Sequence, residues 1–455
     1  MKNMATALHI DDLPERVLIV GLGVTGLSCA RYLHGLGVPQ LLVADSREQP
    51  PGLDALRRQL PDVELFLGGF DRSLFAGVDM LVVSPGVALA TAEIQHALQQ
   101  GVSVVGDVEL FAREVQGKVA AITGSNGKST VTTLLGLMAA GKGAVTGGNL
   151  GKPVLDLLED EPALYVLELS SFQLETTANL VSEVAAVLNI SADHMDRYSS
   201  LDEYAQVKSR IYARAAIGVY NLDDSRVMSM SRTAHALFFT LGEPRDADCF
   251  GVRSIDGETW LCQGSKNLLP ARELLMPGQH NLANALAALA MGTALELPMP
   301  DMLGVLQTFP GLAHRTEYVC TRAGVKWYND SKATNPGATV AALRGLHKGD
   351  GSCTVLIAGG DCKQADFTAL AQTIKDTARA VVLIGRDRQR IRQVLNTGIN
   401  IVDAVDMDEA VAKAAELALP GDRVLLSPAC ASFDMFDGFE HRGNVFRECT
   451  RRLCS

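Results

Sequence analysis

Thr123-Gly124-Ser125-Asn126-Gly127-Lys128-Ser129-Thr130 is the stretch on which the reading of this chain turns. Ahead of it, Lys118-Val-Ala-Ala-Ile122 is short and mostly apolar, as a strand in a buried parallel sheet would be. Behind it, Val131 to Met138 read as a helix. Strand, glycine loop and helix in that order turn backbone N–H groups and the positive end of a helix toward a phosphate. Lys128 adds a mobile positive charge for β- and γ-phosphates, and the Ser129 hydroxyl is a ligand for Mg2+. The common phosphate-loop pattern begins with a glycine where this chain has Ile122, so the match is to a shorter Thr-Gly-x-x-Gly-Lys-Ser form. A helix-capping glycine turn beside a surface lysine is the plainer alternative, but the flanking strand and helix favour nucleotide phosphate.

A length of 455 residues suggests about three domains, each large enough to bury its own core. A net charge of −11 argues against a nucleic-acid surface, and 5% aromatic residues are too few for base stacking. The nine cysteines include no Cys-x-x-Cys pair and read as scattered thiols of a cytoplasmic protein. Met1 to Glu15 lack the apolar core of a secretion signal, and no run approaches the ~18 apolar residues of a membrane span. No nucleic-acid partner and no membrane insertion are therefore expected.

From residue 1 to 107 the pattern is that of a small doubly wound domain. Arg16-Val-Leu-Ile-Val20 reads as a buried strand, followed by Gly21-Leu-Gly23-Val-Thr-Gly26 and a helical run to about Gly35. A second strand, Gln40 to Ala44, ends at Asp45. Three glycines and then an acid about 20 residues on form the dinucleotide fingerprint. It suggests NAD if taken alone; glycines needed only for close packing are the other reading. A third strand, Asp79 to Val83, runs into Ser84-Pro85-Gly86, where open α/β sheets bind ligands.

The middle segment, 108 to 313, carries the phosphate loop. Gly147-Gly148-Asn149-Leu150-Gly151 is a second glycine turn, in which Asn149 either meets a ligand or caps the turn. Ala163 to Leu167 read as a strand ending in Glu168, where a nucleotide's Mg2+ is usually met. Val184 to Leu188 form another strand, ahead of Asp193-His194-Met195-Asp196-Arg197; His194 is balanced between metal or phosphate contact and a structural role. A helix over Leu201 to Ala215 makes Lys208, on pattern alone, a solvated lysine. Short strands from Ala216 to Cys262 suggest extra β structure. An alanine-rich helix follows, with Asn281 and Asn284 on one face, placed to read a base edge or to cap and bridge helices.

The last segment, 314 to 455, is again mainly parallel α/β, with strands at Val325–Asn329, Thr354–Ala358, Ala380–Ile384 and Arg423–Leu426. Arg315, at its start, has the planar fork that suits a γ-phosphate. Strand ends carry Asp330-Ser331-Lys332-Ala333-Thr334-Asn335, Gly359-Gly360-Asp361-Cys362-Lys363 and Ser427-Pro428-Ala429-Cys430-Ala431-Ser432-Phe433. Lys363 and Ser432 suit a small carboxylate, or are ordinary loop residues.

Taken in order, Thr-Gly-Ser-Asn-Gly-Lys-Ser-Thr, Glu168-Leu-Ser-Ser-Phe-Gln-Leu, Asp193-His-Met-Asp-Arg, Gly278-Gln-His-Asn, His314-Arg-Thr-Glu, Asp330-Ser-Lys-Ala-Thr-Asn and Leu426-Ser-Pro-Ala-Cys-Ala-Ser resemble the Mur ligases of peptidoglycan synthesis. The sixth and seventh strings resemble the D-glutamate-adding branch. The resemblance spans nearly the whole chain. It implies a cytoplasmic, monomeric, three-domain ligase: a Rossmann-like N-terminal domain, a central P-loop ATPase-like α/β domain with extra β structure, and a Rossmann-like C-terminal domain. It implies that ATP activates the carboxylate of UDP-N-acetylmuramoyl-L-alanine as an acyl phosphate, which the amine of D-glutamate attacks.

The same resemblance implies residue roles. Gly23, Val24, Thr25, Asp45, Ser46, Gly86, Asn149 and His194 would meet the UDP-linked acceptor, so the opening fingerprint would hold UDP and not NAD. Gly124, Ser125, Asn126, Gly127, Lys128, Ser129, Thr130, Asn281, Asn284, Arg315, Asp330 and Lys332 would hold ATP. Ser129 and Glu168 would face one Mg2+, and His194 and a carbamylated Lys208 a second. Thr334, Lys363, Ser432, Phe433 and Phe439 would hold D-glutamate. Lys128, His194, Lys208 and Arg315 would form the catalytic set. The rival readings are a dehydrogenase, a ligase of the same group with another amino acid, and a nucleotide-binding regulator.

Overall fold

Apolar runs that strands bury on both faces set up three sheets in the computed structural model, which describes residues 14–276, 278–347, 351–362, 365–395 and 398–454. The first sheet contains β1 (Arg16–Val20), β2 (Gln40–Asp45), β3 (Glu64–Leu67), β4 (Met80–Val83) and β5 (Ser103–Val105). Its order is β3-β2-β1-β4-β5, all parallel. The order reverses between β1 and β4, so the Gly21–Gly26 turn and the Ser84–Gly86 loop open side by side at the strands' carboxyl ends.

The second sheet contains β6 (Lys118–Thr123), β7 (Ala144–Gly148), β8 (Leu164–Glu168), β9 (Ser182–Val187), β10 (Ala215–Asn221), β11 (His235–Phe239), β12 (Cys249–Ile255), β13 (Glu258–Gln263) and β14 (Lys266–Pro270), in the order β14-β13-β12-β11-β10-β9-β6-β8-β7. The strands from β7 to β12 pair parallel; β13 and β14 add antiparallel hairpins. Asp256 and Gly257, at φ +50° and +80°, make the two-residue turn between β12 and β13. In β6, Val119 to Ile122 are at most 2% exposed, with β8 on one side and β9 on the other. The central position of β6 puts the phosphate loop between the ends of β8 and β9.

The third sheet contains β15 (Glu317–Arg322), β16 (Val325–Asn329), β17 (Thr354–Gly359), β18 (Ala378–Ile384), β19 (Asn400–Asp403) and β20 (Arg423–Leu426), in the order β15-β16-β20-β17-β18-β19. Only the β15–β16 pair is antiparallel. The three-domain α/β class expected from the sequence is therefore the observed one. Three elements differ. The helix read as Leu201 to Ala215 ends at Ser209, gives way to a tight turn at Arg210–Tyr212, and is followed by β10. Lys208 is not solvated but 1% exposed, because that helix packs its Lys208 face against the phosphate-loop strand. Among the described residues seven cysteines are free thiols, but Cys320, on the rim strand β15, is disulfide-bonded.

The first two sheets are joined through the helix Asp107–Glu114. Buried Glu109 accepts hydrogen bonds from the backbone N–H groups of Ala178 and Asn179 (2.7 and 3.0 Å) and from Asn179 Nδ2 (2.5 Å). Removing this carboxylate takes the acceptor from three donors on Ala178 and Asn179, which are exposed and can turn to water. Glu109→Ala is expected to lower unfolding free energy by about 1–2 kcal/mol with an unchanged urea m-value, measured by equilibrium denaturation; an unchanged midpoint would contradict the joint.

Candidate active site

The phosphate loop takes its shape from two glycines in conformations that side chains avoid. Gly124 has φ +152° and Gly127 has φ +85°. A Cβ on Gly127 would lie 2.3 Å from Asn284 Oδ1, so glycine lets the helix Gln279–Ala294 pack directly on the loop. The helix Lys128–Met138 starts at this turn. Asn189, at the end of β9, clamps the loop from the other side: its carbonyl accepts from Ser125 N at 2.9 Å, its Oδ1 accepts from Asn126 N at 2.8 Å, and its Nδ2 donates to Asn126 O at 3.0 Å. Lys128 Nζ donates to Gly124 O and Ser125 O at 2.9 and 3.0 Å, which folds it back over the loop.

Four basic side chains converge here. Burial lowers the pKa of Lys128, and nearby Arg315 adds to the effect against Glu168 and Asp193. Lys208, whose Nζ donates to Thr123 Oγ1 at 3.2 Å, is held well below the ordinary lysine range by burial and then by Lys128. Arg315 Nη2 donates to Ser129 Oγ at 2.7 Å, and its pKa too is lowered by burial. Lys332 lies 3.5 Å from the centre of the Phe439 ring and is pushed down to about 8 by burial and then by Arg315. Carboxylates stand among them. Glu168 is 2% exposed; its Oε1 accepts from Asn149 Nδ2 at 2.7 Å, and its Oε2 has no protein partner. Asp193 accepts from its neighbour's backbone, His194 N, and from Asn335 Nδ2 across the boundary to the last domain. Asp330 accepts from Thr316 N at 3.0 Å and Ser427 Oγ at 2.7 Å.

Three cavities open around this junction. One is lined by Asn126, Gly127, Thr130, Asn281, Asn284, Arg315, Asp330 and Lys332 from the sequence-predicted nucleotide set, joined by Asn189, Asn221 and His280. The second, of about 600 Å³, gathers Gly23, Val24, Thr25, Asp45, Ser46, Gly86 and Asn149. It also includes Ser84, from the strand-end loop marked in the sequence, and Arg47 and Gln173, which the sequence reading missed. Arg47 grips Asp45 through Nε and Nη2 at 2.8 and 2.7 Å, and Leu22 N donates to the same carboxylate. The third, also about 600 Å³, brings together Thr334, Ser432, Phe433 and Phe439 with Asp193 and His194. His194 thus lines this cavity and not the one around Gly23. Its ring meets Phe172 edge-on at 4.8 Å, and its φ is +55°. Phe433 is 76% exposed at the cavity mouth. Lys363 lies outside the described residues. Gln173 sat unmarked in the Glu168-Leu-Ser-Ser-Phe-Gln-Leu string; its signal was Ser170-x-x-Gln173, which forms a capping box.

This chain is similar to known proteins along its length. Residues 15–106 match the Mur ligase MurD-like N-terminal domain, residues 122–292 the Mur ligase middle domain, and residues 314–430 the Mur ligase glutamate ligase domain. A UDP-N-acetylmuramoylalanine--D-glutamate ligase of Nitrosococcus oceani is 54% identical over 445 residues, covering 96% of this chain and 97% of the relative. That of Pseudomonas putida is 51% identical over 438 residues, covering 96% and 97%. Among solved structures, a UDP-N-acetylmuramate-alanine ligase of Thermotoga maritima superposes with a TM-score of 0.61 at 17% identity, covering 96% of this chain and 99% of that one. A pseudomurein peptide ligase of Methanothermus fervidus gives 0.61 at 18%, covering 96% and 100%. These two likenesses are of fold.

Asp330 supplies a test of the crowding. Burial raises its carboxyl to about 7, against an unfolded value near ~3.9. Between those values the folded chain keeps a proton that the unfolded chain has released, so this group's contribution to stability falls as pH rises through the window. Asp330→Asn, which keeps the neutral shape, is expected to raise the thermal midpoint at about pH 7.5 and to leave it unchanged near about pH 4, by scanning calorimetry. A lower midpoint at both pH values would contradict the assignment.

Proposed function

The chain belongs to the Mur ligase family, and on that footing we propose that it is the ATP-dependent ligase that joins D-glutamate to UDP-N-acetylmuramoyl-L-alanine in peptidoglycan precursor synthesis. One observation of geometry carries the reading furthest. Lys128 Nζ folds over Gly124 and Ser125, Arg315 Nη2 reaches Ser129 Oγ, and Lys332 lines the same cavity as Arg315, an arrangement of cations around the phosphate loop that favours a polyanion. Residues 1–107 would hold the UDP part, 108–313 ATP, and 314–455 the amino acid. The cavity around Gly23 and Asp45 would take the nucleotide of the acceptor, the one around Asn281 and Asn284 the adenosine, and the one around Thr334 and Ser432 D-glutamate.

A divalent cation fits the residues present. Glu168 Oε2 is a buried, unpartnered carboxylate oxygen in the phosphate-loop site, beside an Asn149-bound Oε1. Among the described residues no cluster of three or more His, Cys, Asp or Glu forms a ready cage, so most ligands would come from phosphate and water, as Mg2+ prefers. Glu168 and Ser129 would hold one Mg2+, and His194 with carbamylated Lys208 a second. Bound there, Mg2+ would neutralise charge on the phosphates. Lys208 is suited to carbamylation: burial favours its uncharged amine, whose lone pair would attack CO2, forming the N–C bond as one C=O π bond opens to the carboxylate oxygen and a proton leaves the nitrogen. No membrane-crossing helix occurs among the described residues, and we place the enzyme as a monomer in the cytoplasm beside its nucleotide substrates.

The chain's own groups account for the chemistry that follows. A carboxylate is a poor electrophile, so the acceptor's alanyl carboxylate must first take the γ-phosphoryl group of ATP. Lys128 and Arg315 donate hydrogen bonds to the charge that develops on that group. Asp330 orients the Thr316 end of the segment that bears Arg315. The unprotonated amine of D-glutamate then attacks the acyl carbon, and phosphate leaves. Closing the last domain over the first two excludes water that would hydrolyse the acyl phosphate.

Phosphate release should require ATP, the UDP-linked acceptor and D-glutamate together, and other amino acids in place of D-glutamate should give little. Lys128→Ala, folded by circular dichroism, should lose about 10³-fold in kcat. Release with a different amino acid only, or with no acceptor, would sink the reading. Separately, 13C-labelled bicarbonate should give a carbamate carbon resonance in the wild type that is missing from Lys208→Ala; identical spectra would remove the carbamate.

A further inference from the structure

Arg197 closes the Asp193–Arg197 loop and has no part in the mechanism above, yet its side chain is only 16% exposed and spans two domains. Its guanidinium lies over the Phe172 ring, 4.1 Å from the centre. Nη2 pairs with Glu175 Oε2 at 3.2 Å. On the far side Nη1 donates to Pro85 O at 3.3 Å and Nη2 to Val87 O at 3.5 Å. Those carbonyls flank Gly86, and all three residues line the cavity around Gly23 and Asp45. Phe172 and Glu175 belong to the short helix Ser171–Glu175, whose Gln173 lines the same cavity.

The other ends of these contacts reach His194. Its ring rests edge-on against Phe172. The backbone N–H groups of Arg197 and Tyr198 donate to His194 O at 2.9 and 3.3 Å, fixing the left-handed turn. Tyr198 Oη donates to Glu175 Oε1 at 2.5 Å, and its ring stacks parallel to Phe172 at 6.2 Å. One planar fork therefore joins the wall of the first-domain cavity to the ring and turn that aim His194 into the cavity of Thr334 and Ser432. A lysine cannot replace it, since it has neither the fork nor the flat face.

We infer that Arg197 is a positioning residue, which ties the Pro85–Val87 loop to Phe172 and Glu175 and so aligns His194 with the seated UDP-linked acceptor. The inference rests on the proposed ligase reading, and the test separates the two. Acceptor binding is measured by titration calorimetry without ATP or metal, and kcat and the three KM values by phosphate release. Arg197→Ala should weaken acceptor binding and raise acceptor KM about tenfold, lower kcat about ten- to a hundredfold, and leave ATP KM within about twofold. Arg197→Lys, which keeps the charge opposite Glu175, should recover much of acceptor binding but little of kcat. Should Arg197→Ala not fold, Glu175→Gln, of the same shape, should show the kcat loss. Variants that bind acceptor like the wild type, or that weaken ATP and acceptor alike, would overturn the inference while leaving the ligase intact. A wild-type protein that neither binds nor turns over the acceptor would overturn both.

Discussion

Unbalanced positive charge in a place shielded from water is the constraint on which this structure depends. Lys128, Arg315 and Lys332 come from three different segments, and burial depresses the charged form of each before any neighbour acts. Their mutual repulsion adds to that cost, since Arg315 acts on both Lys128 and Lys332. Glu168 and Asp193 offset part of it, while burial pushes the Asp330 carboxyl up to about 7. The stable completion of such a cluster is an anion of high charge, and a triphosphate is one. Folding bears the cost of assembling the cluster, and binding recovers it.

The backbone delivers these groups by one device used three times. Each domain is a mainly parallel sheet, and each opens its loops at the carboxyl ends of its strands. β1 and β4 present the glycine turn and Gly86; β6, β8 and β9 present the phosphate loop, Glu168 and the His194 loop; β16 and β20 present Asp330 and the Ser432 loop. The first two domains share one apolar cluster, in which Leu22, Cys29 and Leu33 join Leu155, Leu157 and Tyr165, and Arg31 to Asp156 and Arg197 to the Pro85 and Val87 carbonyls tie them further. The last domain buries clusters of its own, and Arg315 to Ser129 and Asn335 to Asp193 cross its seam. Rigid-body closure is open to the last domain, because its core is separate from that of the other two.

Much of this was readable from the residues. The central strands announced themselves because both faces are covered, which demands unbroken apolar runs such as Val119 to Ile122. β3, β5 and β19 escaped notice because they are short strands at the sheet edges: Glu64-Leu-Phe-Leu alternates exposed and half-buried positions and looks like loop. Family membership and the D-glutamate ligase activity followed from motif order, as the relatives bear out. The surroundings of single side chains were not legible. Lys208 sits in a helix of weak amphipathic pattern, so nothing local shows that it is buried against Thr123. Gln173 and Arg197 act across long sequence separations, and periodicity carries no information about such contacts.

The account stands on activation of the acceptor's own carboxylate by phosphoryl transfer. Acceptor labelled with 18O in its alanyl carboxylate, incubated with ATP and D-glutamate, tests that step by mass spectrometry of the released phosphate. One labelled oxygen should appear in each phosphate formed, because the bridging oxygen of the acyl phosphate leaves with phosphorus when the amine attacks. Phosphate free of label, formed alongside the amide product, would contradict it.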